Sequence, residues 1–337
     1  MIQASKEAIM AKKTLSIVVP VYNEEEGIET FIEHRLLPEI IKISENYNCE
    51  LILVNDGSSD NTLSILQKIY TNHQKQYKGI EIKVIALSRN FGKEVALSAG
   101  FKNATGDAVF SIDADGQQPP EIMESFIKSW LKGNEIIIGV RDHYTKHGLI
   151  PKLGSKLFYK ILHLMGNKTT VEGSTDFRLI DREVIDQYNK LTEHNRITRG
   201  LIDWMGYKKD YIKYIYGNRQ SGKPSYNFSK LFKLAIDSFI SMSTTPLTIF
   251  GYLGSIISLF ALILGLFCII NQYILNDPLH LYWDGAVQMT IFITFLIGLV
   301  MISQYITSLY VSHIHAETQN RPLYIISKKE SRNLESS

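Results

Sequence analysis

Asp113-Ala114-Asp115-Gly116-Gln117 sets two carboxylates one residue apart, with an amide two positions further on. They directly follow the apolar run Ala108 to Ile112, which reads as a buried strand. In an open α/β sheet, ligands bind outside the carboxyl ends of the strands. Hard oxygen ligands at that edge suit Mg²⁺ or Mn²⁺, above all where a phosphorylated substrate completes the coordination shell. The same residues also make an Asp-rich turn ahead of a helix opening at Pro119, Pro120 and Glu121. Asp-x-Asp by itself does not choose between the two readings.

The elements around this pair alternate. Leu15 to Val21 reads as a first buried strand, with a helix from about Glu25 to Glu45. Glu50 to Val54 is a second strand, running into the turn cluster Asn55-Asp56-Gly57-Ser58-Ser59-Asp60. Ser59 or Asp60 is placed to cap a helix through Tyr70. Ile82 to Leu87 is a third strand, Lys93 to Asn103 a helix, Pro120 to Lys132 a helix and Glu135 to Val140 a fifth strand. Strands alternating with helices predict an α/β domain with a mostly parallel sheet. No Gly-x-Gly-x-x-Gly turn follows the first strand and no Walker loop is present, which disfavours dinucleotide dehydrogenases and P-loop enzymes.

A formal net charge of +2 over 337 residues leaves no electrostatic footprint for nucleic acid. The two cysteines, Cys49 and Cys268, have neither disulfide nor metal-knuckle spacing. Met1 to Lys13 lacks an apolar signal-peptide core. Further on, Gly251 to Ile270 and Ala286 to Val311 carry no charged residue, and each is long enough to cross a hydrocarbon core of about 30 Å as a helix. The connecting loop holds Asp277 and Asp284 without Lys or Arg, whereas Lys230, Lys233, Arg321, Lys328, Lys329 and Arg332 flank the pair outside it. The positive-inside rule predicts a transmembrane hairpin with both ends in the cytosol. The expected division is a cytosolic domain over 1–227, an interfacial helix over 228–247, two spans over 248–312 and a cytosolic tail over 313–337. Lys156 to Leu164 and Lys230 to Ile236 carry spaced lysines among bulky apolar residues, a pattern shared by helices lying on a membrane surface and helices packed on a sheet.

Three strand-end motifs occur in order: Val18-Val19-Pro20-Val21-Tyr22-Asn23-Glu24-Glu25, Val54 to Thr62, and Asp113 to Gln117. Together they resemble family 2 glycosyltransferases with the GT-A fold. Ser88 to Glu94, Thr175-Asp176-Phe177-Arg178-Leu179, the basic Arg219 to Lys223 segment and the apolar tail narrow the resemblance. It is then to polyprenyl-phosphate glycosyltransferases: dolichol-phosphate mannose synthase and, more closely, bactoprenol glucosyltransferases. The resemblance covers roughly residues 14 to 325. It implies transfer, with inversion, of a sugar (glucose favoured) from a nucleotide sugar (UDP-sugar favoured) to polyprenyl phosphate at the plasma membrane. It also implies a homotetramer, with a flippase as a possible partner.

By that resemblance Pro20, Tyr22, Glu24, Asp56, Lys93 and Asp113 bind the nucleotide sugar, and Asp113, Asp115 and Gln117 hold Mg²⁺ or Mn²⁺. Charge grows on the β-phosphate as the diphosphate leaves, and a divalent ion neutralises it. The acceptor, a phosphate monoester, is already largely dianionic at neutral pH and needs little help from a base. Bringing two anions together is the harder problem, so cations are expected to converge on the site. Arg141, Arg178, Arg219 and Lys223 are the candidates, with Arg and Lys suited to phosphate in different ways. Asp115, Asp176 and Arg141 form the expected catalytic set. Asp176 matches a position assigned as base or as acceptor-site carboxylate, and its role stays open between proton acceptor and orienting group. The segment Gly222-Lys223-Pro224-Ser225-Tyr226 departs from the relatives' Gly-x-Ser-Lys-Tyr/Trp, which weakens the case for Lys223 relative to Arg219. His143 and His147 read as exposed loop residues. A processive polysaccharide synthase is disfavoured by the missing Gln-x-x-Arg-Trp, and a non-catalytic nucleotide-sugar-binding scaffold by the intact carboxylates and arginines.

Overall fold

The computed structural model describes residues 12–73, 76–77, 79–141, 173–193, 196–215, 263, 270 and 285–334. The chain divides into two units, Met1–Ser225 together with Arg321–Ser337, and Tyr226–Asn320. The last part of the expected tail, Arg321–Ser337, belongs to the sheet-bearing unit.

In the first unit the strands are β1 (Thr14–Val21), β2 (Asn48–Asn55), β3 (Ile80–Ala86), β4 (Ala108–Ser111), β5 (Ile136–Arg141), β6 (Ser174–Asp181) and β7 (Lys209–Tyr214). They form one sheet in the order β3-β2-β1-β4-β6-β5-β7. β6 alone runs against its neighbours β4 and β5. The sheet is mostly parallel, as the alternation of elements predicts. Near-continuous Ile, Leu and Val along β1 and β2 bury both faces, as helix-covered parallel strands require.

Helices α1 (Ile28–Phe31) and α2 (Leu37–Ser44) flank a π-helical turn, Ile32–Leu36. One helix was expected there. Pro38 lies in the first turn of α2 and has no N–H to give the preceding turn, so the hydrogen-bond ladder shifts. The remaining helices of this unit are α3 (Thr62–His73), α4 (Lys93–Asn103), α5 (Met123–Leu131), α6 (Arg182–Lys190) and α7 (Thr198–Trp204). Asp60, one of the two expected caps, accepts a hydrogen bond from Thr62 N at the start of α3.

Two cores sit on the sheet's two faces. One gathers Phe31, Leu66, Phe110, Phe126 and Phe177. The other gathers Val18, Ile85, Phe101, Ile138 and Tyr188, and against it pack Tyr324, Ile326 and Leu334 from the chain's end. These last residues form a strap along β3. Val84 and Arg332 exchange backbone hydrogen bonds, Ser327 N donates to Ala86 O at 2.8 Å, and Ser88 N donates to Ile325 O at 2.9 Å. β3 is the outermost strand on its side, and the strap supplies partners to a row of groups that would otherwise face water.

In the second unit the described helix is α8 (Gly285–Thr318). Among the described residues no helix is long and apolar enough to cross a membrane. Of the first expected span only residues 263 and 270 are described, and within α8 many side chains are not. The expected hairpin is therefore not established by the structure.

Candidate functional site

Chain direction and register bring the site together. β4 pairs with β6 so that Ser111 faces Arg178. Carried two residues past the end of β4 and two earlier along β6, the same register puts Asp113 level with Asp176, at the carboxyl edge of the parallel strands. Lys93, the first residue of α4, reaches between them. Its ammonium lies 2.7 Å from Asp113 Oδ1 and 2.8 Å from Asp176 Oδ2. On the far side, Arg199 Nε stands 2.9 Å from Asp176 Oδ1. The array is Asp113–Lys93–Asp176–Arg199, alternating in sign and drawn from the turn after β4 and from α4, β6 and α7.

The electrostatics follow from the spacing. Burial opposes the charge on Lys93, but attraction from Asp113 and then Asp176 outweighs it, and its pKa lies above the usual lysine value. Burial alone would raise Asp176, yet Lys93 and then Arg199 hold its carboxyl well below the usual range. For Asp113 burial wins: its pKa is raised, Lys93 offsets part of the rise, and Asp176 adds to it. Glu94 is also raised by burial and by Asp176, while its bond from Thr198 pulls the other way.

Asp113 is further engaged by Gln118, whose amide donates to Oδ2 at 2.9 Å and whose oxygen accepts from Asp113 N at 2.8 Å. Gln117 N donates to Asp115 Oδ1 at 3.0 Å across Gly116, whose φ of 70° lets the chain reverse there. Arg35 Nη1 clamps the turn by donating to Gly116 O. Among the described residues no three His, Cys, Asp or Glu gather closely enough to hold a metal alone. Asp115 and Gln117 are hard oxygen donors on one tight turn, and both are partly exposed. Mg²⁺-type sites take one or two carboxylates and borrow the rest of the shell from substrate phosphates, so this donor set fits such an ion. Asp113 faces Lys93 and Gln118 instead.

Asp56 ends up in a different cradle. Its carboxylate accepts from Phe91 N at 2.8 Å and Gly92 N at 2.9 Å. Burial raises its pKa, and those two bonds restrain the rise. Gly57 allows this approach: a Cβ there would lie 2.1 Å from the Arg89 carbonyl carbon, and its φ is 61°. Pro20 is buried beside Val54. The β1–β4 pairing ends with Val18 opposite Ser111, so Pro20, which has no N–H to give, stands beyond it on that side. Tyr22 is 45% exposed at the same edge. Glu24 N donates to Thr62 Oγ1, tying this loop to the start of α3.

Of the expected phosphate ligands, Arg141 closes β5 opposite Tyr214 of β7. Arg178 is 1% exposed and pairs with Asp203 at 3.3 Å, so the structure does not open it to a substrate. Arg219, Lys223, His143, His147, Cys268 and the two lysine-spaced stretches lie outside the described residues. Arg199 was missed by sequence reasoning, since nothing in Ile197-Thr198-Arg199-Gly200 marks it until α7 is docked against Asp176.

The sequence model of "Glycosyl transferase family 2" matches residues 16–188, the stretch that carries Pro20, Asp56, Lys93, Asp113, Asp115 and Asp176. The chain belongs to glycosyl transferase family 2. Its sheet and strand-end carboxylates are the α/β GT-A architecture of such enzymes. Among its relatives, an uncharacterized glycosyltransferase of Synechocystis, sll0501, is 36% identical over 93% of this chain and 94% of its own length. The prophage bactoprenol glucosyl transferase homolog of Escherichia coli is 32% identical over 93% of this chain and 98% of its own. A bactoprenol glucosyl transferase of Shigella phage SfII is 32% identical over 95% and 99%. Among solved structures, the mannosyltransferase PcManGT of Pyrobaculum calidifontis, in complex with GDP-Man and Mn²⁺, shares 17% identity over 67% of this chain and 61% of its own, with a TM-score of 0.43. This family 2 chain is therefore a glycosyltransferase.

Proposed function

We propose that the protein transfers a hexosyl group, with glucose and a UDP donor favoured, to a polyprenyl phosphate at the inner face of the plasma membrane. The acceptor phosphate oxygen forms a bond to the anomeric carbon as the bond from that carbon to the diphosphate oxygen breaks. The electron pair leaves with the nucleoside diphosphate, and the product is a polyprenyl-phosphate sugar of inverted configuration. The single observation that carries the reading is the alternating array Asp113–Lys93–Asp176–Arg199 at the sheet edge. The bactoprenol glucosyl transferases it resembles over nearly their whole length support the acceptor class.

In this reading Asp56, with Pro20, Tyr22 and Glu24, receives the base and ribose. Asp115 and Gln117 hold the divalent ion, which supplies Lewis-acid neutralisation of the diphosphate when bound. Lys93 orients Asp113 and adds a positive charge beside the diphosphate. Asp176 remains ionised and orients Lys93 and Arg199. A dianionic acceptor gives it no proton to take. Arg141, Arg219 and Lys223 are proposed on the acceptor side. The uncharged runs 251–270 and 286–311 are proposed as a membrane hairpin that keeps the domain beside its lipid, and a homo-oligomer is the expected assembly.

The reading is tested by mass spectrometry of lipid products after incubating membranes containing the protein with undecaprenyl phosphate and a panel of UDP- and GDP-sugars. A single dominant polyprenyl-phosphate hexose is expected. Sugar appearing only on soluble or polymeric acceptors would overturn it.

A further inference from the structure

The turn that carries Asp115 and Gln117 is fixed through a single peptide group. Gly116 C=O and Gln117 N–H belong to one planar unit, in which the two bonds point in opposite directions. The oxygen accepts from Arg35 Nη1 at 2.5 Å, and the N–H donates to Asp115 Oδ1 at 3.0 Å. Arg35 and Asp115 thus hold the same peptide from opposite sides. Gly116 is buried, so its carbonyl needs a partner that the protein supplies. A guanidinium bonded to that oxygen polarises the peptide and strengthens the bond its N–H makes to the carboxylate.

Arg35 is itself held in place. It lies in the π-helical turn Ile32–Leu36, and both Ile32 and Leu36 are buried in the first core. Such turns inside α-helices recur at functional sites. Arg35 Nη2 lies 3.4 Å from Glu121 Oε1, on the short 3-10 turn Pro120–Ile122 that leads into α5. The guanidinium therefore joins the peptide that orients Asp115 to the element that follows the turn.

Two effects of this cation oppose each other at a divalent-ion site. Its charge repels the ion, whereas the peptide it fixes pre-organises the carboxylate that binds the ion. The repulsion is offset by Glu121, and both side chains reach solvent, at 24% exposure for Arg35 and 52% for Glu121, where water screens charge. The bond to a buried carbonyl has no such offset, so orientation wins.

We infer that Arg35 is a positioning residue for the divalent ion: by holding the Gly116–Gln117 peptide it sets the Asp115 carboxylate for Mg²⁺ or Mn²⁺. This role rests on the reading above in which Asp115 and Gln117 hold such an ion, and it adds a residue that acts through the backbone and not as a ligand.

Mn²⁺ binding, followed by electron paramagnetic resonance on full-length protein in detergent with saturating UDP, tests the role apart from turnover. Arg35→Met is expected to weaken Mn²⁺ about 10- to 100-fold, the range for losing an outer partner of a metal ligand. Arg35→Lys recovers part of the loss, and UDP affinity measured without metal holds. In metal-free protein, hydrogen exchange at the Gln117 amide speeds up in Arg35→Met. Should Arg35→Met fail to fold, Arg35→Lys and Glu121→Gln carry the same comparison, each with a smaller loss. Lower stability with unchanged Mn²⁺ affinity overturns the inference and leaves Arg35 a staple between helices. Tighter Mn²⁺ binding also overturns it, because repulsion then outweighs orientation. In both cases lipid product from the wild type leaves the proposed transfer standing. Mn²⁺ binding that depends on Arg35, in a protein that glycosylates no polyprenyl phosphate, removes the reaction and keeps the positioning role. Wild-type protein that binds no Mn²⁺ overturns the inference together with the ion site.

Discussion

Asp176 lies between the Lys93 ammonium and the Arg199 guanidinium, and that position sets its expected behaviour with pH. Its pKa is depressed on folding, so its contribution to stability is present above the unfolded carboxyl value. That contribution is lost as pH falls through the lower folded value. Asp176→Asn should lower the unfolding free energy by about 2–3 kcal/mol at pH 7, less than a fully buried pair because Lys93 and Arg199 are partly exposed. Urea melts should show the gap from wild type narrowing as pH drops below the ordinary carboxylate range. A gap that widens on acidification would contradict the assignment. Gly57 offers a second residue-level test. Gly57→Ala forces a Cβ into the Arg89 backbone at a left-handed φ, so a loss of about 1–3 kcal/mol is expected together with weaker UDP binding. Unaltered melting would show that the two turns do not touch as described.

At the scale of elements, the strap formed by the chain's end links stability to the nucleotide edge. Ile325 O holds Ser88 N, and four residues later Gly92 N holds Asp56. Ile326→Asp places a charge among the apolar residues of the second core and is expected to cost about 2–4 kcal/mol. Hydrogen exchange should speed up in that variant at Ala86, whose N–H donates to Ser331 Oγ at 3.0 Å, and at Ser88, and UDP affinity should fall with it. Protection left intact at both amides would remove the strap from the account. Nothing in Tyr324 to Asn333 announces a sheet partner, since the segment is short, mixed and far in sequence from β3. By contrast, β1 to β5 and α4 were legible, because apolar runs bounded by turn residues leave few alternatives. α4 spans Lys93–Asn103 as expected. β6 was visible as a motif and not as a strand, and its reversed direction came only from pairing with β4 and β5. Among the site residues, Asp113, Asp115 and Asp56 were readable as strand-end carboxylates. Lys93 and Asp176 came through the family resemblance, and Arg199 from neither, since its role depends on where α7 docks.

At the scale of the whole molecule, a sheet-bearing unit is followed along the chain by two long uncharged runs. The uncharged runs, the acidic loop between them and the basic flanks predict that 271–285 faces outward. A cysteine placed at Asn276, with Cys49 and Cys268 replaced by serine, should react with a membrane-impermeant maleimide in intact cells. One placed in the tail at Ser336 should react only after lysis. The opposite pattern would turn the catalytic domain away from cytosolic nucleotide sugars and end the proposal. The most direct test of the central claim is the lipid product itself. Purified protein in Mg²⁺ or Mn²⁺, given UDP-glucose and undecaprenyl phosphate, should yield undecaprenyl-phosphate glucose by mass spectrometry, and Asp115→Ala should yield none. Lipid product at wild-type rate from Asp115→Ala, or no lipid product from wild type with any nucleotide sugar, would contradict the account.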